Sequence, residues 1–367
     1  MPAKRVPSRA KNQATRLGWS GAVVAGLAAL GACAGAGTHT PVAPAVDAPS
    51  TTPTRAADPS PVERVRADAA ALAPLVTTKL ATDFLSATSA LPEESPRVLF
   101  EDKEHHLAYS ADGAAKLDAT ARATLTKRDL DYYETKYGSP LAYARPVELL
   151  GADGLDDFAG KKIVDFGYGG VGHLRLFASL GANAIGVDVD PVLPVLYGGA
   201  DDTGAIAGVR GAGGTLTLLN GRFPFDAKIR DAVGSGVDVF LSKNTLKRGY
   251  IHPERPVTQG QTIDLGMSDD AFLAAVFAAV KPGGRVLLFN ICPKQAPPSA
   301  PYIPWADGRS PFDEATWKKA GFSVVYIDRD ETPFVKRMAH TLGWDTGEDA
   351  IDLETDLFAW ATLAHRP

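Results

Sequence analysis

From Lys161 onward the chain alternates short apolar runs with stretches of helical spacing. Runs rich in Val, Ile, Leu and Phe fall at 161–166, 184–189, 215–219, 237–241, 285–290, 322–328 and 357–364. Each has the length of a strand. Among the intervening segments, 171–180, 269–280 and 312–320 place apolar residues at helical intervals. Strands that are apolar on both sides and separated by helices predict an α/β fold. Its seven-stranded, mostly parallel sheet would be covered by helices on both faces. No helical pattern separates the last two runs, so they are expected to pair antiparallel at the carboxyl-terminal edge.

The first half is patterned differently. Leu72, Leu75, Leu80 and Phe84–Leu85 recur at three to five residues, which predicts helix within 62–90. Residues 97–110 suit a short hairpin and 119–136 suit another helix, so 62–150 is expected to form a mainly helical extension. Residues 33–61 are largely Ala, Thr, Pro and Gly, with prolines at 41, 44, 49, 53, 59 and 61. Such a composition cannot bury a core and predicts an extended tether. The expected organisation is therefore 1–32, 33–61, 62–150 and 151–367.

Charge separates the amino terminus from the rest. The 367 residues carry a net charge of −5, yet residues 1–32 hold Lys4, Arg5, Arg9, Lys11 and Arg16 and no acid. The remainder is strongly acidic, which argues against wrapping nucleic acid. The basic stretch precedes an uncharged run from Trp19 to Ala32, shorter than the roughly 20 apolar residues that cross a bilayer. This order predicts an export signal. Its end, Leu30-Gly-Ala-Cys33, resembles the lipobox of bacterial lipoproteins. That resemblance implies cleavage before Cys33, lipid on its thiol, and an envelope protein whose membrane contact is the lipid alone. A mis-assigned start codon would instead leave a cytoplasmic enzyme. Cys292 is the only other cysteine, so with Cys33 lipidated no internal disulfide or zinc cluster is expected.

The candidate chemistry lies in Lys161-Lys-Ile-Val-Asp-Phe-Gly-Tyr-Gly-Gly-Val-Gly172 and Ile185-Gly-Val-Asp-Val-Asp190. A strand enters a glycine-rich turn, a helix follows, and a second strand ends on Asp188, where an acid can hold ribose hydroxyls. Glycines at 167, 169 and 172 also fit dinucleotide sites, but Asp165 stands where those folds usually keep an apolar residue. The zinc ligands of the medium-chain alcohol dehydrogenases are absent as well.

Five segments stand in order: Val164-Asp-Phe-Gly-Tyr-Gly169, Gly186-Val-Asp-Val-Asp-Pro191, Val237-Asp-Val-Phe-Leu-Ser-Lys-Asn244, Val280-Lys-Pro-Gly-Gly-Arg-Val-Leu-Leu288 and Trp317-Lys-Lys-Ala-Gly-Phe-Ser-Val-Val325. Together they resemble the class I S-adenosylmethionine-dependent methyltransferases, which have a Rossmann-like sheet. The resemblance covers residues 161–367. It departs at the third glycine, which follows the second by three residues rather than two.

The resemblance implies S-adenosyl-L-methionine as cofactor. Gly167, Tyr168 and Gly169 would line its methionine end, Gly172 would complete the cofactor-binding turn, Asp165 would help hold the ammonium group, and Asp188 both ribose hydroxyls. Asn220 would stand at the adenine, and Ser242 opens the acceptor-side loop. In that loop Lys243, Lys247, Arg248 and His252 form a positive run. It could grip an anionic acceptor, with Lys243 and His252 as catalytic candidates. Tyr132-Tyr133, with Tyr143-Ala-Arg-Pro146, would fold over the methionine end, and residues 293–311 would form a lid. The acceptor would be a small molecule or an envelope component. A non-catalytic exported nucleoside- or nucleotide-binding protein that keeps the fold and a nicotinamide-dependent oxidoreductase are the competing readings.

Overall fold

Residues 59–160, which precede the main sheet, fold against it rather than apart from it. The computed structural model describes residues 59–258, 260–347 and 350–367; the expected export signal, Cys33 and nearly all of the tether lie outside them. The helix Pro61–Leu72 starts at a capping box, in which Ser60 accepts from the Glu63 amide and Glu63 reaches back to the Ser60 amide. The helix Lys79–Ser86 is capped by Thr78. Strands β1 (Arg97–Asp102), β2 (Leu107–Ser110) and β3 (Thr126–Leu130) form a small antiparallel sheet in the order β2-β1-β3. The hairpin is as expected. The helix expected over 119–136 is a correction: only Ala119–Ala123 is helical, and Thr126–Leu130 pairs with β1. The many polar residues there suit an exposed strand as well as a helix.

The main sheet has eight strands: β4 (Lys162–Phe166), β5 (Asn183–Asp188), β6 (Gly204–Ala205), β7 (Thr215–Asn220), β8 (Val237–Lys243), β9 (Val280–Cys292), β10 (Ser323–Asp330) and β11 (Phe358–His365). Their order is β10-β11-β9-β8-β4-β5-β7-β6. Strands β7, β5, β4, β8 and β9 are mutually parallel, while β11 runs against both β9 and β10. The expected mostly parallel sheet and antiparallel terminal pair are present. The eighth strand is the two-residue β6, too short to show a period. From β4 the chain builds outward through β5 and β7 and then returns to β8 on the other side. That reversal opens a crevice at the carboxyl ends of β4 and β8.

Alternate residues of the strands feed two cores. Ile163, Val239, Leu241, Leu287 and Phe289 join one cluster, and Val164, Phe240, Val286 and Leu288 join the other. The second is covered by the helices Asp269–Ala279 and Glu314–Lys319, through Phe272, Val276 and Trp317. The first is covered by Val62, Val65, Leu72, Phe84, Tyr133 and Val147 from the extension, with Phe334 and Met338 from the helix Thr332–Thr341. That helix and Ala144–Ala152 carry Pro333 and Pro146 in their first turns. There a missing amide costs no helical bond, although a proline in sequence reads as a breaker.

Glu148 ties this cover together. Its carboxylate, 5% exposed, accepts from the amides and hydroxyls of both Thr77 and Thr78 at 2.6–3.0 Å. Desolvation pushes its pKa up, but the hydrogen bonds together hold it below the ordinary glutamate value. Glu148→Ala is expected to cost about 2 kcal/mol, because two part-buried amides and two hydroxyls lose their acceptor. A group held below its unfolded pKa stabilises above that value, and the contribution is lost as pH falls through the folded one. The wild-type advantage over Glu148→Ala in urea unfolding should therefore hold from neutral pH to about pH 5 and shrink as the pH falls through about 4.

Candidate active site

At the carboxyl ends of β4, β5 and β8 lies a cavity of about 150 Å³, lined by Tyr137, Tyr143, Gly167, Tyr168, Asp188, Val189, Lys243, Asn244, Thr245 and Ile263. The glycine turn forms its floor. Gly167 and Gly169 have φ of +79° and +57°, a region that side chains disfavour. The open faces of both glycines are filled by this chain's own side chains. A Cβ on Gly167 would lie 1.9 Å from Thr245 Oγ1, and one on Gly169 would lie 2.6 Å from the Tyr137 ring. Tyr137 is held over the turn by its hydroxyl, which donates to Asp190, and Thr135 Oγ1 donates to the Gly169 carbonyl at 2.9 Å.

Asp188 ends β5 with its carboxylate at the cavity wall. Oδ2 accepts from the Gly169 amide at 3.0 Å, and Oδ1 from the amides of Val189 and Asp190 at 2.7 and 3.0 Å. About three of its four lone-pair sites are thus engaged, which leaves room for one further donor rather than two. Desolvation raises its pKa to about 6 against those three amides, so it is ionised at neutral pH.

Behind the cavity sits a buried polar cluster. Asp165 has no solvent exposure; its Oδ2 accepts from the Tyr143 hydroxyl at 2.6 Å and lies 2.6 Å from His173 Nε2. Its Oδ1 has no hydrogen-bond partner among the described residues. The Tyr143 and His173 rings stack at 3.6 Å between centroids, and the Lys243 ammonium lies 5.3 Å from the Tyr143 centroid. Burial lowers the pKa of His173, and lowers that of Lys243 to about 8, with Asp165 opposing both shifts.

The structure brings Gly167, Tyr168, Asp188, Lys243 and Tyr143 together and separates other expected site residues from them. Asp165 lies behind the wall, with one oxygen spent on Tyr143 and His173. Gly169 underlies Tyr137, next to the cavity. Gly172 starts the helix Gly172–Ser179, where a Cβ would come within 2.9 Å of Pro140, so packing demands that glycine. Ser242 faces away, donating to the Phe166 carbonyl at 3.0 Å. Asn220 is exposed, donating to the Asp190 carbonyl at 3.2 Å. His252 is not a cavity residue: its Nε2 lies 2.8 Å from Asp269 Oδ2 at the start of a surface helix.

The positive run does not converge either. Lys247 is buried on backbone carbonyls, and Arg248 pairs with Glu254. The expected lid over 293–311 is a pinned loop. Arg255 donates to four of its carbonyls, and Asn290 and Lys247 hold its far end. Sequence reasoning missed Tyr137, Asn244 and Thr245.

No family model matches the chain, and no curated protein matches it in sequence. Several solved structures are similar to it. Phosphoethanolamine N-methyltransferase 2 of Haemonchus contortus, in complex with S-adenosyl-L-methionine, is 13% identical, with 79% of this chain and 74% of that one covered and a TM-score of 0.36. Magnesium protoporphyrin IX methyltransferase of Synechocystis PCC 6803 is 17% identical, with 62% and 79% covered and a TM-score of 0.32. The [4+2]-cyclase SpnF is 15% identical, with 61% and 80% covered and a TM-score of 0.35. Likeness at this level identifies no reaction.

The contact of Thr245 with Gly167 is open to test. Gly167→Ala is expected to destabilise by about 2 kcal/mol or more, from left-handed strain and collision. In a Thr245→Gly background the same change should cost about 1 kcal/mol less. Denaturant midpoints of the four proteins measure that coupling, and strict additivity would contradict it.

Proposed function

We propose that this chain is an S-adenosylmethionine-dependent methyltransferase of the class I kind, acting on a small-molecule or envelope acceptor. One observation carries the reading: a left-handed glycine turn and an ionised Asp188 flank the same cavity, at the point where the strand order reverses. The motif order from Val164 to Val325 points the same way. Asp188 would accept one ribose hydroxyl, at about 1.5–3 kcal/mol for a charge-assisted bond. Gly167 and Tyr168 would meet the methionine arm. Asp165 would act through Tyr143 and His173, shaping the wall rather than touching the donor.

The donor supplies an electrophilic methyl group, and the protein's part is alignment of donor and acceptor and exclusion of water. Lys247 and Asn290 fix the acceptor-side loop by hydrogen bonds to backbone carbonyls. As it stands, the cavity of about 150 Å³ is below the ~300 Å³ of the smallest drug-sized sites. Binding the whole donor would therefore displace Tyr137 from Gly169.

The basic, apolar and small-residue order of residues 1–33 supports a lipid anchor at Cys33 in the cell envelope. It also favours a second reading, in which an exported protein binds a nucleoside without transferring a methyl group. Transfer from methyl-labelled donor to an envelope extract separates the two. Quenching of NADH fluorescence on mixing would instead favour an oxidoreductase.

Calorimetry with S-adenosylmethionine and S-adenosylhomocysteine tests the first reading. Saturable binding is expected, weakened about 10- to 100-fold in Asp188→Ala, measured at a temperature where that less stable variant is folded. Because Asp188 takes its proton near pH 6, affinity should fall as pH drops from 7 to 5 in the wild type but not in the variant. No binding by the folded wild type would end the proposal.

A further inference from the structure

Two lysines of one loop are buried, and their surroundings differ. Lys247 is 2% exposed, and its ammonium donates to the carbonyls of Ile291 and Trp305 at 2.7 and 3.1 Å. Lys243 is 6% exposed and lines the cavity, and its ammonium makes no hydrogen bond or ion pair with the described residues. Its surroundings offer only the face of Tyr143 and the pull of Asp165. The hydrogen-bonded oxygen of Asp165 is already taken by Tyr143 and His173. An ammonium with no protein acceptor and little room for water is costly, and an arriving anion relieves that cost.

Position says which part of a ligand arrives there. Asp188 ends β5, Gly167 follows β4, and Lys243 ends β8, so the two charged groups are two strand spacings apart, roughly 10 Å. One cavity runs from Asp188 past Gly167 to Lys243, so a nucleoside with its ribose at Asp188 would extend its 5′ arm within that cavity toward Lys243. At the far end of that arm stands a cation. Asp188 and Asp190 make the near end unfavourable for a negative group.

We propose that Lys243 receives the carboxylate at the amino-acid end of the ligand, so that the cavity selects nucleosides carrying that group over those lacking it. The assignment rests on the donor reading above and goes beyond it in naming the residue that sets specificity. The titratable groups around the ammonium are Tyr143 from the turn before Ala144, Asp165 from β4, His173 from the following helix and Lys247 from the same loop. Burial, opposed by Asp165, leaves Lys243 losing its proton near pH 8. Carboxylate recognition is thus present below that pH and lost above it.

The test is calorimetry on the full chain with three probes at pH 7 and 9.5. They are S-adenosylhomocysteine, its decarboxylated analogue that keeps the amine, and 5′-methylthioadenosine. At pH 7 the wild type should prefer S-adenosylhomocysteine over the decarboxylated analogue by about 10- to 100-fold. At pH 9.5 the preference should shrink by about tenfold. Lys243→Met should weaken S-adenosylhomocysteine alone until the two ligands bind alike, and Lys243→Arg should keep part of the preference. A folded Lys243→Met that retains the wild-type preference overturns the assignment and leaves the donor reading standing. Failure of all three probes to bind the wild type overturns both.

Discussion

The carboxyl of Asp165, with no solvent contact at the end of the central strand, is the interaction on which the rest depends. An ionisable group so placed costs several kcal/mol unless neighbours satisfy it. Two do so through a single oxygen: the Tyr143 hydroxyl, from the segment before the sheet, and His173, from the helix after the glycine turn. The stacking of those two rings then locks the amino-terminal cover to the start of that helix. The extension is therefore part of the site. It covers one apolar face of the sheet through Val62, Phe84, Tyr133 and Val147, and in doing so lays Tyr137 and Tyr143 over the strand ends.

The glycine turn serves the protein before it serves any ligand. Gly172 is required by the approach of Pro140, and Gly167 and Gly169 by Thr245 and Tyr137. A glycine-rich sequence reads as space left for a ligand. Here the same absence of Cβ atoms lets two distant segments close on the turn. Occupation of the cavity and docking of Tyr137 draw on one surface, so ligand binding and the Tyr137–Asp190 contact oppose each other. Lys136, 2.8 Å from Asp190, strengthens the closed arrangement.

The parallel strands were legible because their apolar runs are bounded by glycine turns and helices, and Asp188 because it follows such a run. Strand β3 was not, since its residues are largely exposed and its partner lies in β1. The first-turn prolines hid two helices for a local reason. At the site, Tyr143 could be anticipated from its place before the first parallel strand. Tyr137 and Thr245 reach it through contacts that no local period encodes. The positive run from Lys243 to His252 was misleading for a different reason. Charges counted along the chain ignore the side each one faces, and strand period would have separated Ser242 from Lys243. Leu241 belongs to the extension-side core and Lys243 repeats its direction, while Ser242 turns to the opposite face and the Phe166 carbonyl.

Asn244 completes the argument about Lys243. Its φ of +64° places it in the left-handed region, which asparagine tolerates better than most residues. Its amide donates to Asn290 Oδ1 at 3.0 Å, and its Oδ1 accepts from the Ile291 amide at 2.7 Å. These buried bonds to β9 offset the backbone strain and fix where β8 stops. Lys243 can then stay in register beside Phe289 with its side chain on the cavity side, while Thr245 turns back over Gly167. A strand continuing straight would carry Thr245 away from the glycine turn. Three consecutive residues therefore supply the cation, the bend and the cover, and the asparagine between them makes the other two positions possible.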